Sequence, residues 1–280
     1  MAARFTLWFR LGVTLLGCAL LVLSGPQARA DQARLAELLR SEALFEILQH
    51  EAATYGETLA EDVMGQTADP SWLAQVAEIH APNRLVPAFE AVLFRELPKQ
   101  YVAPVEAFFE APLGQRLITL ELTAREALLD PALEEAAEAE LDAAEMAGDP
   151  RLELIREIIE VSDTVEANVL GGLNANLVFY RAMVAGGAYP YDISEEEMVA
   201  DVLAQEPEIR AEVSRWIESY LLLAYRPLTD AELQSWIAFA RSESGQAFVR
   251  AQFAAFDHVF EQSSAALGAA LALRLSGQDL

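Results

Sequence analysis

Cysteine is nearly missing from these 280 residues: Cys18 is the only one, and it lies inside an apolar run near the start. This excludes a disulfide framework, thiolate metal sites, cysteine nucleophiles and dithiol redox motifs. Histidine occurs three times, at His50, His80 and His258. His50 is followed by Glu51, but no histidine stands at position 54, so the zinc-protease spacing fails. The other two are far apart and read as ordinary surface or core side chains. Neither a Gly-x-Ser-x-Gly elbow nor a Gly-x-x-x-x-Gly-Lys phosphate loop is present, and no twelve-residue stretch has the alternating acids and central glycine of a calcium loop. The sequence therefore predicts no catalytic set, no metal site and no cofactor. Positive charge is scarce too. Nineteen basic residues, with Lys99 the only lysine, face 44 acidic ones for a net charge of −25. Such a surface repels nucleic acid and anionic headgroups.

The first thirty residues read as a secretory leader. Arg4 and Arg10 give a positive start, Leu11 to Leu23 an apolar run, and Ala28-Arg29-Ala30 a small-x-small cleavage pattern. The run is short for a membrane span, which needs roughly 20 apolar residues. Leu15-Leu16-Gly17-Cys18 resembles a lipobox, but the cysteine sits in mid-run. Cleavage after Ala30 and release into a periplasm are the expectations, with no membrane span in the mature chain. Arg4, Arg10 and Arg29 would leave with the leader, making the remainder more acidic still.

Ala, Leu and Glu dominate the rest, and period-two alternation is rare, which predicts an all-α fold. Helix starts are marked at Asp69-Pro70, and by the capping-box pairs Ser194/Glu197 and Thr229/Glu232. From Glu126 to Met146, Leu129, Leu133, Ala137, Leu141 and Ala144 recur at the spacing of one helix face, ended by Gly148-Asp149-Pro150. The acids of this segment read as a solvated face.

Sliding the chain by 131 residues aligns Arg95 with Arg226, Leu97 with Leu228, Ala107 with Ala238, Phe108 with Phe239, Gly114 with Gly245 and Gln115 with Gln246. Phe89 then meets Tyr220, Ile118 meets Val249, and Leu122 meets Phe253. The sequence predicts two related helical repeats, 31–148 and 149–280, each a long helix, a second helix and a tight pair. Whether they share one core stays open. In both copies a helix starts in the same register, with Ser242 as cap in one and Pro112 at the first helical position in the other. Gly114 and Gly245 then fall in a first turn, where glycine costs about 1 kcal/mol relative to alanine. Its presence in both copies predicts a close backbone approach, with Phe108 and Phe239 sealing each hairpin. Ser242-Glu243-Ser244-Gly245 thus reads as a cap and not as a nucleophile.

The run Leu228-Thr229-Asp230-Ala231-Glu232-Leu233, then Ile237-Ala238-Phe239 and Ser242-Glu243-Ser244-Gly245-Gln246, resembles the bacterial family catalogued as domain of unknown function 2059. Ala240 and Glu243 stand where that family tends to have tyrosine and proline, and the first half matches only through Phe108-Phe109 and Ala111-Pro112-x-Gly114-Gln115. The resemblance implies an exported helical bacterial protein and brings no activity with it.

The least ordinary stretch is Ala167 to Ala188, apolar and small with Arg181 its only charge. Asn174, Asn176 and Tyr180 within it are the candidate lining of a ligand pocket, since such sites are mostly apolar with a few polar groups. The leading functional expectation is a non-enzymatic module that binds a partner protein or maintains the envelope. The alternative is a periplasmic protein that binds a small molecule or lipid near 167–188. A filled interior with a broad apolar patch would favour the first, and an interior pocket the second.

Overall fold

The computed structural model describes residues 26–277, with side chains from Gln32 onward. Cys18 and most of the expected leader lie outside the described residues. The described chain is all helix. Six helices come first: α1 (Pro26–Leu39), α2 (Ser41–Asp62), α3 (Pro70–Ile79), α4 (Pro82–Glu96), α5 (Lys99–Glu110) and α6 (Pro112–Ala127). A connecting helix, α7 (Pro131–Ala147), leads to α8 (Pro150–Val161), α9 (Thr164–Ala185), α10 (Glu195–Leu203), α11 (Glu206–Tyr225), α12 (Asp230–Arg241) and α13 (Glu243–Leu275).

Proline and capping residues cut the chain into these short pieces. A proline at the start of a helix forfeits only an N–H that has no intrahelical partner. Pro70, Pro82, Pro112, Pro131 and Pro150 each stand there. Asp69, Asp130 and Asp149 accept backbone N–H groups as caps, and both expected capping boxes form. One helix face expected from the sequence is broken this way. Glu126 and Met146 belong to different helices, because Asp130-Pro131 interrupts between them. Ala137, Leu141 and Ala144 are buried as the spacing predicts, but Leu129 and Leu133 are exposed. Each half accordingly holds more helices than the sequence pattern suggests.

Three apolar clusters make up the interior, and each draws on both sides of Gly148. One joins Leu117 and Leu128 to Leu173, Trp216 and Leu233; the second joins Phe45, Phe89 and Val105 to Phe248 and Phe256; the third joins Tyr55, Trp72 and Val76 to Phe179, Met183 and Leu271. The 33-residue α13 runs through the second and third, packed along α9 at its end and on α4 and α5 at its start. Gly186 approaches Ala272, and Gly268 approaches the Phe179 carbonyl, so α9 and α13 lie parallel in close contact. Gly148, at φ +62°, only turns the chain between α7 and α8.

Some helices have counterparts of equal length, at spacings of 123 and 131 residues. α2 and α9 both have 22 residues and begin at Ser41 and Thr164. Each follows a left-handed residue, Arg40 at φ 53° and Asp163 at φ 49°, the only non-glycine residues with positive φ among those described. α5 and α12 both have 12 residues and begin 131 positions apart. At the next turn Gly114 and Gly245 behave alike: a Cβ would meet the Phe108 carbonyl oxygen at 2.2 Å in one and the Phe239 carbonyl oxygen at 2.0 Å in the other. Gln115 donates to the Phe109 carbonyl at 2.6 Å, and Gln246 donates to the Ala240 carbonyl at 2.7 Å. Phe108 and Phe239 do not seal their own hairpins as expected. They stack on each other, because their helices meet, and Phe109 and Trp236 close around them.

Candidate functional site

A cavity of about 200 Å³, partly open to the surface, lies between α6, α11 and α13, bordered by the starts of α2 and α9 and by parts of α4, α8 and α12. Apolar side chains supply most of its wall, among them Phe89, Leu117, Leu122, Ile217, Phe248 and Phe253. Many lining residues are partners under the spacings found above. Phe89 and Tyr220, Leu117 and Phe248, Ile118 and Val249, Glu121 and Gln252, and Leu122 and Phe253 are each 131 positions apart. Ser41 and Thr164, the first residues of α2 and α9, both reach it as well.

Glu121 is the one carboxyl in this wall. It sits on α6 one turn beyond Leu117 and two turns beyond Gly114, both buried, so the helix aims it inward. The protein encloses it, yet part of its surface stays open, and that part faces the cavity. Tyr225 donates its hydroxyl to Glu121 Oε1 at 2.6 Å, and Tyr220 donates to the Glu121 backbone carbonyl at 3.1 Å. Burial raises the Glu121 pKa to about 7, offset only in part by the Tyr225 hydrogen bond. Both tyrosines are pushed well above their usual pKa, first by burial and then by Glu121, so they remain neutral donors.

Several other polar atoms reach the cavity without a protein partner. The Asn168 amide donates to the Thr164 carbonyl at 2.7 Å, which fixes its orientation and leaves Oδ1 unpaired on a residue only 1 % exposed. Ser41 Oγ and Ser162 Oγ are likewise buried and unpaired. The Gln252 side-chain amide makes no hydrogen bond to a described residue. Buried polar groups are nearly always satisfied, and each exception calls for a reason. Three buried groups of this kind, Asn168 Oδ1, Ser41 Oγ and Ser162 Oγ, border one cavity, and a polar molecule bound there would satisfy them together.

A second cavity of about 230 Å³ adjoins the first, with Arg125 and Trp216 lining both. Arg125 is buried and binds Glu51 through two parallel hydrogen bonds, Nε to Oε1 at 2.8 Å and Nη2 to Oε2 at 2.9 Å. Its guanidinium lies 5.5 Å from the centre of the Trp216 ring. Charge here is neutralised within the partition. His80 lines the second cavity with its Nδ1 donating to the Val76 carbonyl at 2.8 Å, and burial lowers its pKa to about 4. No cluster of metal-ligating side chains occurs among the described residues, and none of their helices is long and apolar enough to cross a membrane.

Asn174, Asn176 and Tyr180 line neither cavity. They tie α9 to α10 and its flanks instead: Asn176 donates to Gln205 Oε1 at 3.3 Å, and Tyr180 donates to Asp201 at 3.3 Å beside Tyr189. Asn174 is half-buried. The same helix reaches the cavity at its other end, through Thr164 and Asn168. Glu121 and Gln252 were missed in the sequence because both look like surface residues. A signal existed: they occupy one pair of the 131-residue alignment, between two pairs of apolar residues.

No family model matches the chain, and no curated protein or solved structure matches it either.

Proposed function

We propose that this is an exported binding protein for a small organic molecule, built from two copies of one six-helix unit, α1–α6 and α8–α13, joined by α7. The cavity at the meeting of the copies carries the reading. Its wall is apolar and paired, and it gathers Glu121 and Gln252 with the buried, unpaired oxygens of Asn168, Ser41 and Ser162. Ligand sites are typically apolar hollows with a few polar groups of this kind. An engineered apolar cavity of about 150 Å³ takes up benzene, so about 200 Å³ suits a single ring with a short polar arm.

This favours the small-molecule alternative over a protein-interaction module. The lining holds one carboxyl only, with no nucleophile positioned by a base, which gives hydrolytic chemistry no support. The periplasmic setting rests on residues 4–30, and the relation to the family of unknown function rests on the 228–246 motif. Native mass spectrometry of the protein, purified undenatured from its own host, tests the binding reading. A discrete added mass released on denaturation supports it. A bare mass, together with no uptake of propylbenzene or of its amine, alcohol and carboxylate analogues of similar size at millimolar concentration, overturns it.

A further inference from the structure

We infer that the ligand is an organic cation, a primary amine on a single ring or a chain of similar size, bound with its ammonium between Glu121 and Asn168. This rests on the cavity being a binding site. The paired spacings give the wall a rough symmetry, and charge breaks it. Glu121 on one side stands opposite Gln252 in the alignment, and Arg125 stands opposite Phe256. Arg125 is already spoken for by Glu51, through both of its parallel hydrogen bonds. Glu121 has only neutral donors, the hydroxyls of Tyr220 and Tyr225, the first of which goes to its backbone. Once ionised it is therefore the single uncompensated charge in the wall.

Of the other unused groups, Asn168 leans the same way. Asn168 Oδ1 can only accept, since its amide nitrogen is held by the Thr164 carbonyl. Ser41, Ser162 and Gln252 can accept or donate, so they accommodate an ammonium without selecting it. An ammonium offers three donors and no acceptor, the complement of such a set. Trp216, Tyr220 and Trp236 line the same space and keep most of its wall apolar. The net charge of −25 raises the concentration of cations around the molecule and hinders anions.

The groups that face Glu121 bear on how binding varies with pH. They are Tyr220 and Tyr225 on α11, Arg125 on its own helix with Glu51 of α2 behind it, and the uncharged Gln252 on α13. With the tyrosines neutral and Arg125 paired, Glu121 is the group that changes charge near neutrality. Amine affinity rises as Glu121 loses its proton.

The test compares phenethylamine, 2-phenylethanol and 3-phenylpropanoate, nearly equal in size and differing in head group. Binding is followed calorimetrically and through the fluorescence of Trp216 and Trp236. In the unmodified protein at pH 8 the amine is expected to bind at least tenfold more tightly than the alcohol, with the acid weakest. The ratio of amine to alcohol affinity is expected to fall at least tenfold in Glu121→Gln. The unmodified protein gives a second readout, a rise in amine affinity between pH 5 and 8 that the alcohol does not share. Alcohol or acid bound as tightly as the amine at pH 8, or an amine affinity that does not change with pH, overturns the cation assignment and leaves the cavity a binding site. Failure of all three compounds, and of propylbenzene, overturns the binding reading itself.

Discussion

Phe108 and Phe239, 131 residues apart, lie face to face with ring centres 3.8 Å apart and planes within 8°. Both pack against the first and second apolar clusters, so the stack is the seam between them. Aromatic pairs contribute about 0.5–1.5 kcal/mol beyond their buried area. Urea denaturation of Phe108→Ala, Phe239→Ala and the double variant is expected to show a coupling of about 1 kcal/mol. Strictly additive losses would mean that the stack contributes no more than its area.

Gly245→Ala is expected to destabilise by about 2–3 kcal/mol, although alanine in an exposed helix gains about 1 kcal/mol over glycine. The new methyl group would sit 2.0 Å from the Phe239 carbonyl oxygen, a backbone atom that cannot swing aside. Gly114→Ala meets the same obstacle at the Phe108 carbonyl. Gly148→Ala, with open space around it but φ at +62°, is expected to lose only about 1–2 kcal/mol from left-handed strain. Thermal melts of the three variants check the order.

Stability of the empty protein is expected to fall as pH rises from about 4.5 to 7 because of Glu121. Its folded pKa lies above the unfolded value, so the folded state holds the proton more tightly. The contribution is complete below pH 4.5 and lost once pH passes about 7. At about 1.4 kcal/mol per unit it amounts to roughly 2–3 kcal/mol, given the side chain's partly open face. Glu121→Gln flattens this part of the profile. An unchanged profile in urea titrations at pH 5 to 8 would refute the assignment.

Asp257 adds to the same fall in stability and extends it to about pH 8. It is 2 % exposed, neither carboxyl oxygen has a partner, and burial, then Glu261, raises its pKa to about 8. Between pH 7 and 8, where Glu121 has nearly finished titrating, the protein is expected to lose about 1 kcal/mol that Asp257→Asn does not lose. Equal slopes in the two proteins would show that Asp257 reaches water.

Arg125→Leu is expected to cost about 2–3 kcal/mol, below the 3–5 typical of a fully buried pair, because the Glu51 carboxylate keeps some solvent contact. Adding Glu51→Leu is expected to recover most of the loss, since the uncompensated charge goes with it. Chemical denaturation of both variants measures this. A double variant as unstable as the single would show that Arg125 acts through packing on Trp216 alone.

The helical class, the caps at Asp69, Ser194 and Thr229 and the tight glycines could be read from local chemistry. Each depends on residues within one turn. Gly114 and Gly245 even revealed what they touch, because glycine in a first turn has few other uses. The break at Asp130-Pro131 was equally local and was masked by an apolar spacing that continues across it. The cavity was legible only through the spacing of 131, which set Glu121 beside Gln252 in alignment without saying that they share a space. Asn174, Asn176 and Tyr180 drew attention by composition, but composition cannot tell which end of a 22-residue helix meets a hollow. That depends on how α9 lies along α13, which no single segment encodes.

The placement of α13 also ties two parts of the interior to one helix. Phe248, Ala251, Phe256 and Val259 of this helix finish one cluster, and Leu267, Leu271 and Ala272 finish another. Without it, the faces of α4 and α5 that it covers would lie open, an apolar surface of the kind that favours self-association. A lesion in this one helix therefore loosens two clusters at once.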